Sequence, residues 1–449
     1  MNKTFFSALI LSSLILSISS CVRENGYKDD PNKGKDPNNK IEYADSDEIP
    51  FADEEFKRMC SEFLTTEDGK TYTAAIDTDN DKKITVKEGK AFTGHMLINI
   101  EKKEYDIKSL ADLKWFPNIQ SFAITSCPDI NEIELSYNTN LETLTLFHTN
   151  IKEINTDKQE KLKNITISGN KAVEKIDLSK NKNLEFLFLG ENENLSSLST
   201  KECCGLEEVI ISQNPKLHHW DISGTNMKLN ALTIDGTSLS IDPFVKNMKE
   251  LSRFIYARSL PYEGSIDLSG MHKLEELVCF FDPEKDNVQG LSLPEGSPLR
   301  AVTINGSYIE HYDFSSLSEL SYCDVNYSAK ATGLNLANGN NNNLGFMSAL
   351  YCPNLKCIQV DETFPLPIDF EELEKGQTYW YVTCDGGVDE DGNPIGNPIP
   401  TFDYDCQGKT QILNISPAID VKKDVFAKAK LITQTIWKHA LQEIEKRTK

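Results

Sequence analysis

The chain has 449 residues, a formal net charge of −22, and 26% charged against 39% hydrophobic residues. The acidic surplus excludes binding to a phosphate backbone, which needs clustered Lys and Arg, and it suits a solvated extracytoplasmic protein. Once a polar start is set aside, about 400 residues remain, too many for one compact core but natural for an array that grows in one dimension.

Asn2 and Lys3 open the chain, and residues 5–18 form an apolar run of signal-peptide length, too short and wrongly flanked for a spanning helix. The run ends in Ile18-Ser19-Ser20-Cys21, which resembles the bacterial lipobox. That resemblance implies a signal peptide over residues 1–20, cleavage before Cys21, and lipid on its thiol and amine. The competing reading is an ordinary secretory signal with an incidental cysteine. Residues 21–47, with Asp29, Asp30, Pro31, Lys33, Lys35, Asp36 and Pro37, cannot bury enough surface to fold and are expected to be a tether. Lys28-Asp29-Asp30 is similar to the acidic surface-export signal of Bacteroidetes lipoproteins, but it lies further from the cysteine. The expected location is the outer membrane, with surface exposure left open.

Residues 48–118 are expected to be an N-terminal cap. A helix over residues 53–64 would place Phe56, Met59 and Phe63 on one face. Residues 77–88 then resemble an EF-hand or dockerin-type calcium loop. Such a loop takes oxygen ligands at its positions 1, 3, 5 and 12 and a backbone carbonyl at 7. The resemblance assigns these to Asp77, Asp79, Asp81, Glu88 and Lys83, with Ile84 in the apolar position and a structural Ca2+. Two departures stand against it. Lys82 occupies the place where Gly is usual, and Gly89 stands where a hydrophobic residue normally opens the exit helix. The bland alternative is an acidic turn that binds nothing. A degenerate first coil is expected at His95/Ile98/Ile100.

From residue 119 to 363 the pattern L-x-x-L-x-L-x-x-(N/T/S/C) recurs about every 22 residues, in roughly eleven units. Clear copies are Leu141/Leu144/Leu146/Thr149, Leu162/Ile165/Ile167/Asn170, Leu184/Leu187/Leu189/Asn192 and Leu206/Val209/Ile211/Asn214. The last is expected at Leu355/Ile358/Val360/Thr363. The chain is therefore similar to the leucine-rich repeat family, as found in Bacteroidetes surface lipoproteins. The resemblance implies a repeat solenoid with a parallel, concave β-sheet. Positions 1, 4 and 6 fill the core, and the small polar residue at position 9 bonds the neighbouring coil, since buried amides need partners. Between strands, many Ser, Asn and Asp and little helical periodicity predict turns and extended pieces on the convex side.

Positions 3, 5 and 7 of each strand should face outward. They carry Phe147, Phe186, Phe188, Ile210, Ile255, Val278 and Phe280, expected as an apolar ligand-binding stripe. β-propensity alone, or cover by the chain's own tail, would account for the same residues.

Residues 364–410 are expected to be a C-terminal cap. Bacteroidetes repeat proteins often end in a phrase like Cys357-Ile358-Gln359-Val360-Asp361 with a later cysteine. By resemblance this implies a Cys357–Cys406 disulfide, which leaves Cys352 and Cys384 as a second pair; buried free thiols are the alternative. Residues 411–449 are expected to form an amphipathic tail helix. Val425, Ala429, Ile432, Ile436, Ala440 and Ile444 recur at helical spacing among Lys422, Lys423, Lys428, Lys430, Lys438 and Lys446.

No H-E-x-x-H, G-x-S-x-G or P-loop is present, and the seven His are dispersed, so no enzyme activity is expected. The resemblance implies a lipid-anchored recognition or adhesion protein that binds a protein or glycan on its concave face, without nucleic acid. The second reading is an accessory lipoprotein of an outer-membrane uptake or assembly complex.

Overall fold

The computed structural model describes residues 42–406, apart from 63, 66–70, 74–75, 100–104, 225–227, 295, 367, 369–372, 374, 377, 382–399 and 404. The expected leader with Cys21, the tether up to residue 41, Cys384 and the tail helix lie outside the described residues. Residues 42–47, expected as tether, instead pack on the cap, where Asp47 O accepts from Val86 N, Asp45 O accepts from Lys87 N, and the Tyr43 ring meets Trp115 edge-on.

The chain winds as a parallel-strand solenoid with little helix. One sheet of 13 strands runs from His95–Asn99 to Tyr379–Tyr381, each strand pairing with that of the preceding coil. The register of position 4 holds through the series Leu144, Ile165, Leu187, Val209, Leu232, Phe254, Leu277 and Val302. A slip of one residue would turn the leucines out of the core, so the repeat pattern itself fixes the pairing. Opposite this sheet lie short parallel sheets of three, two and four strands, which close the coils without long helices. One helix, Asp242–Asn247, interrupts them. The core lies between the two layers; Leu184, Leu187 and Leu189 are each 0% exposed, at about 1.5–3 kcal/mol per buried leucine.

Two units sit in a different register from the one expected. In the first coil, Met96 and Ile98 pair with Phe122 and Ile124, so His95 faces outward instead of filling the core. At the far end, Cys357–Gln359 belongs to the four-stranded sheet, where Ile358 pairs with Leu334 and Phe402. Thr363 is exposed rather than bonded into the next coil. The unit of the main sheet is Leu344/Met347/Ala349/Cys352, in which Met347 pairs with Cys323 and all four residues are buried. A strand of the second layer also alternates inward and outward, so its apolar spacing imitates the repeat.

Position 9 holds the coils together. Asn170 N donates to Asn192 Oδ1 (3.1 Å), and Asn192 Nδ2 donates to Ile167 O (3.1 Å). One coil on, Asn192 N and Asn214 Nδ2 repeat both bonds. Cys352 occupies the same column, with its sulfur 3.2 Å from Val325 O. A second ladder runs where each coil enters the sheet. Asn138, Gln159 and Asn181 each bond two carbonyls of the preceding coil, and the Cys203 thiol continues it onto Leu178 O.

The ends are closed differently. At the front, helix Glu54–Ser61 buries Phe56, Met59 and Cys60 and is capped by Asp53. The Asp53 carboxylate also accepts from Lys108 N and Ser109 N, while fully buried Asp112 accepts from Ala52 N and Asp53 N. At the back, Cys357 and Cys406 form a disulfide that closes 49 residues. On the chain-entropy account such a loop contributes about 4 kcal/mol.

Candidate functional site

The outward face of the 13-stranded sheet has two halves. In the first, Phe147, Phe186, Phe188 and Ile210 form a cluster separate from the main core, with Ile255 packed at its edge. An open stripe was expected. These four residues are instead 8%, 1%, 0% and 1% exposed. Their polar neighbours Thr166, Ser168, Ser212 and Thr233 are buried as well. Ile255, Val278 and Phe280 remain half-buried.

Charge between these halves is paired. Asp235, with a side chain 0% exposed, takes the Arg258 guanidinium on both oxygens and also accepts from Ser212 Oγ (2.9 Å). Arg253 pairs with Glu208 in the neighbouring column. Losing one member of such a buried pair is costly, because the other charge is left desolvated.

In the second half, Tyr322 stacks on Phe346 with ring centroids 4.5 Å apart and planes 7° from parallel. The two are register neighbours at position 3, and Tyr322 is 36% exposed. Past the strand ends, Tyr327 stacks on Tyr351 at 4.6 Å, and Lys330 Nζ lies 5.1 Å from the centre of the Tyr308 ring. Sequence reasoning missed the Tyr322–Phe346 pair because the last unit was set one layer out. With the unit starting at Leu344, aromatics at position 3 of successive coils give the signal.

Position 8 of nearly every coil has positive φ. The column includes Ser126, His148, Gly169, Glu191, Gln213, Gly236, Arg258, Gly306, Tyr327 and Tyr351, with φ between 44° and 77°. Here the chain leaves the sheet and turns toward position 9. His148 therefore sits at a turn, packed so closely that a Cβ on Gly169 would lie 2.3 Å from its Nδ1. His218 and His219 are exposed, as expected of surface residues.

The acidic loop brings Asp77, Asp79 and Asp81 together, with one carboxylate oxygen of each within 4.8 Å of the others. Asp77 is 4% exposed, and its Oδ1 takes no hydrogen bond. Lys82 adopts φ 67°, the conformation that makes Gly usual there, and its N donates to Asp77 Oδ2 (2.9 Å). Glu88 does not join the three. Its carboxylate accepts from Thr78 N and Oγ1 and from Thr85 N and Oγ1, which completes a capping box on helix Val86–Ala91. Burial pushes the Glu88 carboxyl up, but those four bonds outweigh it and hold the pKa at about 2. Ile84 is fully buried and its carbonyl accepts from Ile49 N (2.8 Å). Gly89 has a packing cause: a Cβ there would meet Trp115 O at 2.7 Å.

No protein-family model matches the chain, and no curated protein matches it. Solved structures similar to it include an internalin of Listeria monocytogenes, at 16% identity over 70% of this chain and 90% of that one, with a TM-score of 0.43. A leucine-rich repeat protein of Leptospira interrogans is similar at 14% identity over 65% and 95%, with a TM-score of 0.30. A third is the structure titled as a complex of TLR13 with ssRNA13, at 16% identity over 59% and 45%, with a TM-score of 0.35. By its own strand order and register, the fold of this chain is a parallel-strand solenoid of the leucine-rich repeat kind.

Proposed function

We propose that the chain is a lipid-anchored cell-envelope recognition protein that binds a protein or glycan partner on the outward face of its sheet. The contact region runs over the half-open coils that carry Ile255, Val278, Phe280, Tyr322 and Phe346. The observation that carries this reading is the Tyr322–Phe346 stack, in which Tyr322 is 36% exposed and Phe346 half-buried. A flat aromatic plane on a rigid strand offers contact area at low entropic cost. The partner class follows from that chemistry, since sugar rings and apolar side chains both pack on aromatic faces. The test is binding to a glycan array and to a panel of purified extracellular-matrix proteins. Tyr322→Ala with Phe346→Ala should lower binding at least tenfold with the thermal midpoint little changed. Undiminished binding by the double variant would remove this face from consideration. Anchoring through Cys21 is tested separately: Cys21→Ser should move the protein from the membrane fraction to the soluble one.

A structural Ca2+ at the cap loop is supported by the buried, unbonded Asp77 Oδ1 beside Asp79 and Asp81. Those three carboxylates and the Lys83 carbonyl would hold the ion, and Glu88 would join only by releasing Thr78 and Thr85. The ion would neutralise clustered charge and tie the cap to the first coil. Millimolar Ca2+ should raise the thermal midpoint of the full chain but not that of Asp77→Asn. An equal response in both, or none in either, would count against the site.

A further inference from the structure

The acidic loop of the cap is bonded to the segment that enters it. Residues 47–49 run antiparallel to residues 84–86, with an isolated bridge between Glu48 and Thr85. Ile49 N donates to Ile84 O (2.8 Å), Val86 N to Asp47 O (2.9 Å) and Lys87 N to Asp45 O (3.0 Å). The last two donors open the helix Val86–Ala91, whose first N–H groups have no partner within the helix. The entering strap thus caps from outside a helix that Thr85 and Glu88 cap from within. Lys90 Nζ also holds Asp45 (2.8 Å), and Ile49 is 2% exposed. Ile84, whose carbonyl takes the Ile49 bond, is fully buried and follows Asp81 closely in the same loop.

The other end of that loop carries the Asp77, Asp79 and Asp81 cluster, with one oxygen of each within 4.8 Å of the others. Asp77 is 4% exposed, and its Oδ1 has no hydrogen bond among the described residues. A buried carboxylate oxygen beside two like charges is costly. A divalent cation removes the cost; without one, the loop relieves it by opening. Opening moves Ile84, and with it the carbonyl that holds Ile49. We infer that Ca2+ in this loop latches the entering strap. With the ion bound, residues 42–49 belong to the cap. Without it they leave residues 84–87 and add about 25 Å of extended chain in front of the cap, at about 3.3 Å per residue. The latch rests on the calcium reading proposed above and adds to it what the ion controls. Glu88 stays with Thr78 and Thr85, so the site has few charged ligands and binds weakly, and its occupancy follows the surrounding Ca2+. Coupling of this kind is reciprocal: a docked strap strengthens ion binding by the factor with which the ion strengthens docking.

Hydrogen exchange of the full chain, in millimolar Ca2+ against EDTA, tests it. Removing Ca2+ should speed exchange at Ile49, Val86 and Lys87 at least tenfold and leave Asn192 in the solenoid unchanged. In Asp77→Asn the two conditions should agree. A second measurement uses Val86→Pro, which deletes one donor to the strap. Proline suits the first helical position, and Thr85 before it is already extended (φ −83°, ψ 158°). Val86→Ala gives up the valine packing but keeps the N–H. Titration with Ca2+ should show at least threefold weaker binding for Val86→Pro than for Val86→Ala. Equal affinities overturn the latch. Ca2+ binding that Asp77→Asn abolishes, with exchange at the strap unchanged, overturns the latch and leaves the calcium site standing. Ca2+ titrations that do not differ between the unaltered chain and Asp77→Asn overturn both.

Discussion

The coils around Asn192 and those around Ser328 solve one problem with different chemistry. In the early coils an asparagine at position 9 spans the gap to the next coil and bonds both a backbone N–H and a carbonyl. The late coils carry Ser307 and Ser328, whose hydroxyls are too short to meet. The Tyr312 hydroxyl enters from the second layer and bonds both, at 2.5 Å and 2.6 Å. Desolvation pushes its pKa well above the ordinary tyrosine value, so it stays a neutral donor. Strands shorten from five residues at Phe186–Gly190 to three at Tyr322–Asp324. A self-sufficient column supports regular coils, whereas a borrowed hydroxyl ties the late coils to what their second layer happens to supply. The outer face differs too: its aromatics are buried over the regular coils, whereas over the irregular ones Tyr322 is 36% exposed beside buried Thr303, Asn305, Asn326 and Ser348.

That contrast breaks most directly at Asn192. Asn192→Ala strips the partners from Asn170 N and Ile167 O, both inside the solenoid. Buried groups left unmade cost about 1–3 kcal/mol each, so a loss of about 2–4 kcal/mol is expected by denaturant unfolding. Hydrogen exchange should rise in the strands on both sides, as nearest-neighbour coupling in a repeat array requires. Tyr312→Phe is expected to cost less, about 1–2 kcal/mol, because Ser307 and Ser328 can turn toward nearby backbone. If the serine coils proved the more sensitive, the idea of a self-sufficient early half would fail.

The position-9 column and the period were legible in the sequence because each coil meets the same constraint. Every early unit must bury three apolar residues and satisfy one backbone group, so the residue types repeat. The last unit was not legible. Leu355/Ile358/Val360 has the right spacing but belongs to the second layer, while Met347 and Ala349 disguise the true copy with non-leucine residues. The Asn138/Gln159/Asn181 ladder lies three residues before each first leucine, but the same column holds apolar Met248 and Met271 further on, so residue type does not mark it. The stripe was placed on the correct face, but alternation along a strand tells which side a residue points to, not what lies on it. Asp77, Asp79 and Asp81 alternate along the loop and lie together. Glu88 departed because Thr78 and Thr85 offer its carboxylate four bonds within the loop.

The position-8 turn offers the finest probe of the two halves, because the backbone strain recurs while the side chain differs. An L-residue in the left-handed region costs about 1–2 kcal/mol, and Gly removes that cost but loses about 0.5–1 kcal/mol of unfolded-state entropy. Glu191 has φ 52° and an exposed side chain, so Glu191→Gly should stabilise the early half by about 0.5–1 kcal/mol. Tyr351 has nearly the same φ, 57°, but its ring stacks on Tyr327. Tyr351→Gly exchanges an aromatic contact of about 0.5–1.5 kcal/mol, together with buried area, for the same relief, so it should be neutral or destabilising. Opposite signs, measured as unfolding free energies in the same chain, would show that the late coils retain strained tyrosines for their contacts. Matching gains would reduce Tyr351 to an ordinary turn residue, and the case for a built aromatic surface would then rest on Tyr322 and Phe346.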